Sequence, residues 1–274
     1  MAEKKIKVIC ADIDSTLTYG FGPVSDTNRK AIEDLMDAGI LFGLGSGRSY
    51  EDLSTYPEQW QMSRPFDFYV GLNGASLYDG STGENVIYAQ IPKEYVKRLI
   101  LEADNYDLGT HVYAHGVTYF SRFEERLKTI SKNKLRQIVI ADDLSQMYEV
   151  DTPKVLINVP DERMEEISEH FKPILEDMGN TVKLIRTSPG AMEFVPSTVN
   201  KFYSLKIYCD RHGIPMEEVA AFGDTTNDNE MIEGAGLGVC MANGTDDTKA
   251  LADVITEYPA WEDGFAKYVY EYLL

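Results

Sequence analysis

The sequence has little positive charge, few cysteines and no long apolar run. Its 274 residues include 26 Lys and Arg against 45 Asp and Glu, and the net charge is −19. Because nucleic acids and anionic membranes select basic surfaces, this charge argues against either as a partner. Cys10, Cys209 and Cys240 are scattered and lack Cys-x-x-Cys spacing, which is typical of reduced thiols. No apolar segment reaches the length of a membrane span or a signal-peptide core, so we expect a soluble, cytoplasmic protein.

Both ends of the chain alternate between strand and helix patterns. Near the N-terminus, IKVICADI, ILFGLGSG and FDFYVGL are typical of strands, and SDTNRKAIEDLMDAG and RSYEDLSTY are typical of helices. The first helix is predicted to have Ser25 or Asp26 as its N-terminal cap and to stop at Gly39. The C-terminal third repeats the alternation through NKFYSLKIYCDRHG, EEVAAFGD, NDNEMIEGAG and LGVCMANG. This order predicts an α/β fold with a doubly wound parallel sheet, in which ligands bind beyond the carboxyl ends of the strands.

The middle of the chain has a different pattern. Between about Glu84 and Pro189, the adjacent strands LGTHVYA and GVTYF are joined by a tight turn. Helices are predicted over PKEYVKRLILEADNY, near residues 122–131 and over DERMEEISEHFKPILEDMG. Adjacent antiparallel strands with helices predict an inserted α+β domain. We therefore expect a core domain over residues 1–83 and 190–274 and an inserted domain over residues 84–189.

An apolar strand ends in two carboxylates, Asp12 and Asp14, within the segment ADIDSTL. Side chains alternate along a strand, so both carboxylates lean to one side if the extended conformation continues. Like charges about 4 Å apart repel by about 4 kcal/mol at an effective dielectric constant of about 20, so we expect a positive partner. The alternative is a solvated turn, because Asp, Ser and Thr favour turns.

Three further segments place polar side chains after predicted strands. GLGSGRS brings Ser46 and Arg48 to a helix start, where free backbone N–H groups bind anions. VPSTVNKF places Lys201 at another helix start, and FGDTTNDNEM places Asp224 and Asp228 one helical turn apart. Taken alone, each segment is more typical of a structural role: the Ser-Gly-Arg turn of an ordinary helix start, Lys201 of a solvated side chain, and the two acids of a helix cap with a first-turn acid. Together they gather carboxylates, an ammonium and a hydroxyl at one sheet edge, which suits a divalent cation beside a phosphoryl group.

The order D-x-D-x-T, Ser-Gly-Arg, Lys and G-D-x-x-N-D resembles the motifs of the haloacid dehalogenase superfamily. The insertion between the second and third motifs is similar to that of its Cof-like phosphatases, which carry a type IIB cap. The stretch LNGASLYDG (Leu72–Gly80) also matches a segment common in these proteins. The resemblance covers essentially the whole chain. It implies a Rossmann-like core with a cap and Mg²⁺-dependent hydrolysis of a small phosphorylated metabolite. Sugar phosphates are the first substrate class that the resemblance implies, and nucleotides and pyridoxal phosphate are the alternatives.

The resemblance also implies a role for each matching residue. Asp12 would be the nucleophile that forms an aspartyl-phosphate, and Asp14 would protonate the leaving oxygen and then activate water. Neighbouring carboxylates should raise the pKa of Asp14 for that duty. Thr16 would order the loop through its hydroxyl. Arg48 is compatible either with a contact to the substrate or with a surface position at the helix start. The implied metal ligands are Asp12, Asp14 through its carbonyl, Asp224 and Asp228. The implied phosphoryl-binding residues are Ser46, Gly47 and Lys201. Candidates for contact with the substrate are Arg48, Asn73 and Asn227.

Three positions depart from the family pattern. Ser15 stands where Gly is frequent, Thr225 stands where Gly or Ser is frequent, and Phe202 follows Lys201 where Gly is common. We expect the Phe202 ring to fill volume or to pack under the nucleophile loop. The flap TYGFGP after the first motif adds Tyr19 and a second aromatic residue, which either pack or form a platform for the leaving group.

Two other functions are compatible with the same motifs. A phosphomutase or other phosphotransferase would pass the phosphoryl group to a sugar hydroxyl instead of water. A non-catalytic binding protein would keep the scaffold alone, but the intact set of mutually repelling acids argues against it. Because the motifs contact only phosphate and metal, we expect the inserted domain to determine which substrate is accepted.

Overall fold

The computed structural model describes residues 6–20, 22–114, 116–123, 137–188 and 190–274. Phe21, the second aromatic residue of the flap, and most of the helix predicted near residues 122–131 lie outside the described residues. The chain divides into two compact units, Met1–Val86 with Asn200–Leu274, and Ile87–Val199. The domain limits predicted at Glu84 and Pro189 stay predictions.

Strands and helices alternate along most of the chain. The strands are β1 (Val8–Ala11), β2 (Leu41–Gly45), β3 (Phe68–Gly71), β4 (Ser76–Asp79), β5 (Glu84–Ile87), β6 (Thr110–Ala114), β7 (Val117–Phe120), β8 (Gln137–Ile140), β9 (Val155–Asn158), β10 (Val182–Ser188), β11 (Ala191–Pro196), β12 (Val219–Gly223), β13 (Leu237–Cys240) and β14 (Val254–Ile255). The helices are α1 (Asp26–Asp37), α2 (Tyr50–Leu53), α3 (Tyr56–Gln59), α4 (Lys93–Asn105), α5 (Met164–Asp177), α6 (Lys201–Arg211), α7 (Asn229–Gly234), α8 (Asp246–Leu251) and α9 (Gly264–Tyr272). None of these helices combines the length and the apolar content that crossing a membrane requires.

The first unit is built on an eight-stranded sheet in the order β14-β13-β12-β1-β2-β3-β4-β5. Neighbouring strands from β14 to β3 are parallel, and β3 pairs with β4 in antiparallel fashion. This confirms the predicted α/β fold and adds an antiparallel pair toward one edge. Strand β1 is buried along its whole length, which explains its continuously apolar sequence. Its carboxyl end leads directly to Asp12.

Local sequence signals set the bounds of the first helix. Helix α1 begins after Ser25, whose hydroxyl accepts a hydrogen bond from the Asn28 backbone N–H at 3.0 Å. The chain leaves the helix through Gly39 at φ +83°, a conformation that glycine adopts without a Cβ penalty. The apolar face of α1 packs into the core beneath the sheet, where Phe265 of α9 also lies between Phe42 and Phe222.

Two details differ from the sequence prediction. The segment RSYEDLSTY was predicted as one helix, but α2 and α3 are separate short helices. Pro57 lies at the start of α3 and lacks the N–H that a continuous helix would use, which explains the break. Strand β4 follows a turn in which Leu72, Asn73 and Gly74 all have positive φ values. That left-handed turn reverses the chain and creates the antiparallel pair.

The second unit contains a six-stranded sheet in the order β10-β11-β9-β6-β7-β8. Its strand pairs are antiparallel except for β7 with β8. Helices α4 and α5 contribute Leu99 and Phe171 to a core that also holds Phe194 of β11. The unit also holds a buried ion pair between Lys154 and Glu193 at 2.8 Å. These strands and helices form an α+β arrangement.

Candidate active site

Asp12 and Asp14 lie in a tight turn that follows β1. The Asp12 backbone N–H donates to Phe222 of β12 at 2.9 Å, so the turn starts between two central strands. Ser15 has φ +64°, and the Leu17 N–H closes the turn on the Ile13 carbonyl at 3.0 Å. The extended conformation therefore does not continue past Asp12, and the segment forms a turn. The turn is ordered by these hydrogen bonds, and Asp12 is buried within it rather than solvated.

Three carboxylates converge from two strand ends. Asp12, Asp224 and Asp228 are buried, and one oxygen of each lies within 4.8 Å of the others. At an effective dielectric constant of about 20, charges at that separation repel by about 3.5 kcal/mol per pair. Burial, followed by repulsion from Asp12 and Asp228, raises the pKa of Asp224 well above its ordinary value. The cluster therefore favours a cation.

Lys201 supplies one positive charge from the first residue of α6. Its side chain is fully buried, and Nζ donates to Oδ1 of Asp12 and to Oδ1 of Asp228, each at 2.6 Å. Burial opposes the charged form, but the attraction of these two carboxylates raises the pKa of Lys201 above its ordinary value. Three carboxylates and one ammonium leave a formal excess of negative charge that suits a divalent cation.

Asp228 also organises the loop that carries Asp224. Its Oδ2 accepts hydrogen bonds from the backbone N–H groups of Asp224 at 3.0 Å and Thr225 at 3.2 Å. A Cβ atom added to Gly223 would lie 2.5 Å from the Asp228 side chain, so glycine is required before this loop. Burial raises the pKa of Asp228 while the Lys201 charge opposes the rise. The carboxylate thus links Lys201 to the Asp224 loop.

Ser46 and Gly47 follow β2 in a second loop of the same unit. Ser46 is buried, and its backbone is fixed by hydrogen bonds to Val70 at 2.8 Å and from Asn73 at 3.0 Å. A Cβ atom on Gly47 would lie 3.0 Å from Asn73 Oδ1, so Asn73 packs directly against this loop. Asn73 is therefore buried beside the predicted phosphoryl-binding residues.

Arg48 forms an ion pair with Asp14. The sequence suggests either a contact with the substrate or a surface position at a helix start, and neither includes this pair. Arg48 Nη1 and Nη2 donate to the two carboxylate oxygens of Asp14 at 2.5 and 3.0 Å. The guanidinium also lies 5.8 Å from the centre of the Tyr56 ring. The pKa of Asp14 is raised, as predicted, although burial is the largest cause and the Arg48 hydrogen bonds oppose it. Repulsion from Asp12 is a smaller cause.

The remaining predicted residues also belong to the first unit. Thr16 donates from its hydroxyl to Asp224 at 3.1 Å, in agreement with an ordering role. Asn227 accepts a hydrogen bond from Thr225 at 3.4 Å within its own loop. The Phe202 ring fills volume against α7, because a Cβ on Gly234 would lie 2.3 Å from it. Tyr19 is 71% exposed and lies edge-on to Trp261, with ring centres 5.7 Å apart.

A loop that the sequence motifs do not include also contacts the candidate site. The loop after β13 contacts both acid-bearing loops, through Asn243 to the Ser15 carbonyl and through the Thr245 N–H to the Asp224 carbonyl, each at 2.8 Å. The sequence signal that could have identified this loop is its position. The segment MANG (residues 241–244) directly follows β13, whose carboxyl end lies at the same sheet edge as the two acid-bearing loops.

Comparisons with known proteins agree with this geometry. A family model of haloacid dehalogenase-like hydrolases matches residues 9–269. The 5-amino-6-(5-phospho-D-ribitylamino)uracil phosphatase YitU of Bacillus subtilis (strain 168) is 29% identical, over 98% of each chain. A solved haloacid dehalogenase-like hydrolase from Bacteroides thetaiotaomicron is 26% identical, with a TM-score of 0.84 over 97% of this chain and 99% of that one. A solved subclass IIB sugar phosphatase, 22% identical over 95% of this chain and 96% of its own, shares the fold with a TM-score of 0.78.

Proposed function

Because the chain belongs to the family of haloacid dehalogenase-like hydrolases and is a phosphatase, we propose that it hydrolyses a small phosphate monoester with Mg²⁺ through an aspartyl-phosphate on Asp12. The observation that carries this proposal is the buried cluster in which Lys201 contacts Asp12 and Asp228 while Asp224 lies within 4.8 Å. A buried carboxylate that an ammonium orients can act as a nucleophile.

The donor set fits a hard dication. Carboxylate oxygens are preferred by Mg²⁺, and the formal charge of the cluster is negative even with Lys201 ionised. Asp12, Asp224 and the Asp14 carbonyl would hold the ion, and Asp228 would serve as a further ligand or hold a ligand water. When bound, Mg²⁺ offsets the repulsion between an anionic nucleophile and an anionic substrate.

The residues of the chain then divide the reaction between them. An Asp12 carboxylate oxygen attacks phosphorus, and the bond from phosphorus to the leaving oxygen breaks while protonated Asp14 gives that oxygen its proton. In the second step, Asp14 takes a proton from water, the water oxygen attacks phosphorus, and the bond to Asp12 breaks. The raised pKa of Asp14 supports the acid role, and Arg48 supports the carboxylate form needed in the second step.

The loop after β2 would receive the phosphoryl oxygens. The Ser46 hydroxyl and the backbone N–H groups near Gly47 are donors of the kind that bind phosphate, and Lys201 adds a charge. Asn73 stabilises this loop, since its backbone N–H donates a hydrogen bond to the Ser46 carbonyl at 3.0 Å. Arg48 and Asn227 are candidates for contact with the leaving group.

The substrate is proposed by analogy with relatives. One relative is named for a phosphorylated ribitylaminouracil and one structural neighbour for sugar phosphates. We therefore propose a sugar phosphate or a similar metabolite, chosen by the inserted domain predicted over residues 84–189. The three cysteines are buried and free, which supports a cytoplasmic location.

The direct experiment is hydrolysis of p-nitrophenyl phosphate and a panel of sugar phosphates with and without Mg²⁺. We expect Mg²⁺-dependent release of phosphate that Asp12→Asn abolishes. The matched control is Asp37→Asn, because Asp37 is an exposed surface aspartate and should leave activity unchanged. Transfer of phosphate to an added sugar, rather than its release, would instead indicate a phosphotransferase. Activity retained in Asp12→Asn would overturn the proposed nucleophile.

A further inference from the structure

The turn that carries Asp12 and Asp14 depends on one residue in an unfavourable backbone conformation. Ser15 lies between Asp14 and Thr16 with φ +64°, in the left-handed region. A side chain with a Cβ atom is disfavoured there, and such residues persist only where the surrounding structure holds them. A contact that fixes Ser15 therefore fixes the direction of the two acids beside it.

Asn243 makes that contact from another strand end. Its Nδ2 donates to the Ser15 carbonyl at 2.8 Å, and its Oδ1 accepts a hydrogen bond from the Ala260 backbone N–H at 2.7 Å. Both ends of the amide are therefore used, and the side chain cannot rotate without losing one bond. Asn243 links the acid turn to the segment that precedes α9.

The same loop also fixes Asp224. The Thr245 N–H donates to the Asp224 carbonyl at 2.8 Å, and the Met241 N–H donates to Gly223 at 3.0 Å. Gly244 is buried between them, and a Cβ atom there would lie 2.4 Å from Cys240 Sγ. The loop is thus packed tightly and bonded to both acid-bearing segments.

We propose that Asn243 is a positioning residue that holds Ser15 in its left-handed conformation and so aligns Asp12 with Asp224. This inference rests on the proposed function, in which those acids must converge for phosphoryl transfer. Asn243 acts through the Ser15 carbonyl and does not touch the substrate. Small displacements of reacting groups reduce rates strongly, so loss of this hydrogen bond should lower kcat by about tenfold to a hundredfold.

The test compares wild type, Asn243→Ala, Ser15→Gly and the double variant, using p-nitrophenyl phosphate with Mg²⁺ at a temperature where all are folded. We expect Asn243→Ala to lower kcat more than it changes KM. Glycine adopts the left-handed conformation without a Cβ penalty, so Ser15→Gly should restore most of the lost kcat. Ser15→Gly in the wild-type background is the reference for the double variant, so that the rescue is measured as the difference between the two effects of the glycine.

Gln61→Gly is the matched control, because Gln61 has φ +55° at an exposed position in the same unit. Gln61→Gly should raise the melting temperature about as much as Ser15→Gly does, but it should not restore the activity of Asn243→Ala. Full activity in Asn243→Ala, or equal rescue by Gln61→Gly, would overturn the proposal. Melting temperatures give a second readout that needs no activity. If the shifts in melting temperature caused by Ser15→Gly and Asn243→Ala are not additive in the double variant, the two residues are coupled and the proposal is supported, even if wild type hydrolyses no phosphate ester. Strictly additive shifts in melting temperature would contradict the proposal.

Discussion

Replacing Lys201 with Met would show how strongly the ammonium holds the acids together. Lys201 is fully buried and lies 2.6 Å from Oδ1 of both Asp12 and Asp228. At an effective dielectric constant of about 20, each contact gives about 6 kcal/mol of Coulomb attraction before desolvation. Desolvation cancels much of this, and removing one partner of a buried ion pair costs about 3–5 kcal/mol. We expect Lys201→Met to lower the free energy of unfolding by about 3–5 kcal/mol at pH 7.

The assay is urea denaturation followed by circular dichroism without added Mg²⁺. The matched control is Lys206→Met on the same helix, because Lys206 is 50% exposed and pairs with Asp210 at 2.7 Å in solvent. Exposed pairs contribute less than about 1 kcal/mol, so this variant should be nearly as stable as wild type. Mg²⁺ should stabilise Lys201→Met more than wild type, because the three acids then lack the Lys201 ammonium. Equal stability of the two Met variants would refute this account of the cluster.

Two further predictions concern the first unit. Gly74→Ala should lower the melting temperature far more than Gly83→Ala, as thermal denaturation would show. Both glycines have positive φ, but only at Gly74 would a Cβ atom meet a neighbour, Asn200 O at 1.8 Å. Asp79→Asn should cost about 1.5–3 kcal/mol at pH 7, since its buried carboxylate accepts hydrogen bonds from Ser81 and His212. Burial opposes ionisation, but these bonds lower the pKa of Asp79. Its contribution is therefore full above the unfolded pKa and is lost as pH falls through the folded value. The stability difference between wild type and variant, measured by denaturation from pH 7 to pH 3, should shrink below about pH 4. Equal melting temperatures of the glycine variants, or a pH-independent effect of Asp79→Asn, would contradict these predictions.

Strong local signals allowed much of the fold to be predicted. Helix α1 has a capping serine and a terminal glycine, and β1 is a short apolar run before a turn. Helix α9 was missed because it lacks such a start. Asp263, the residue before it, has φ +59° and makes no side-chain cap hydrogen bond. The left-handed turn before β4 was not predicted either. Leucine rarely adopts a positive φ, so Leu72 gives no sequence signal for such a turn.

The candidate site was predictable where residues follow strands directly. The carboxyl ends of parallel strands share one sheet edge, so Asp12, Ser46 and Asp224 follow from strand positions alone. The ion pair between Arg48 and Asp14 did not follow, because a long side chain at a helix start can point to several partners. The Asn243 contact depends on the path of a loop, which the strand pattern does not determine.

The most direct measurement of the central claim is capture of the phosphorylated enzyme. Asp14→Asn cannot activate water, but p-nitrophenolate leaves without an acid, so this variant should accumulate the phosphoryl group during turnover with Mg²⁺. Acid quenching and mass spectrometry of peptides would then locate it. The account predicts phosphorylation of Asp12 alone, absent from Asp12→Asn/Asp14→Asn. A phosphoryl group on another residue, or product formed with no phosphorylated Asp12, would contradict it.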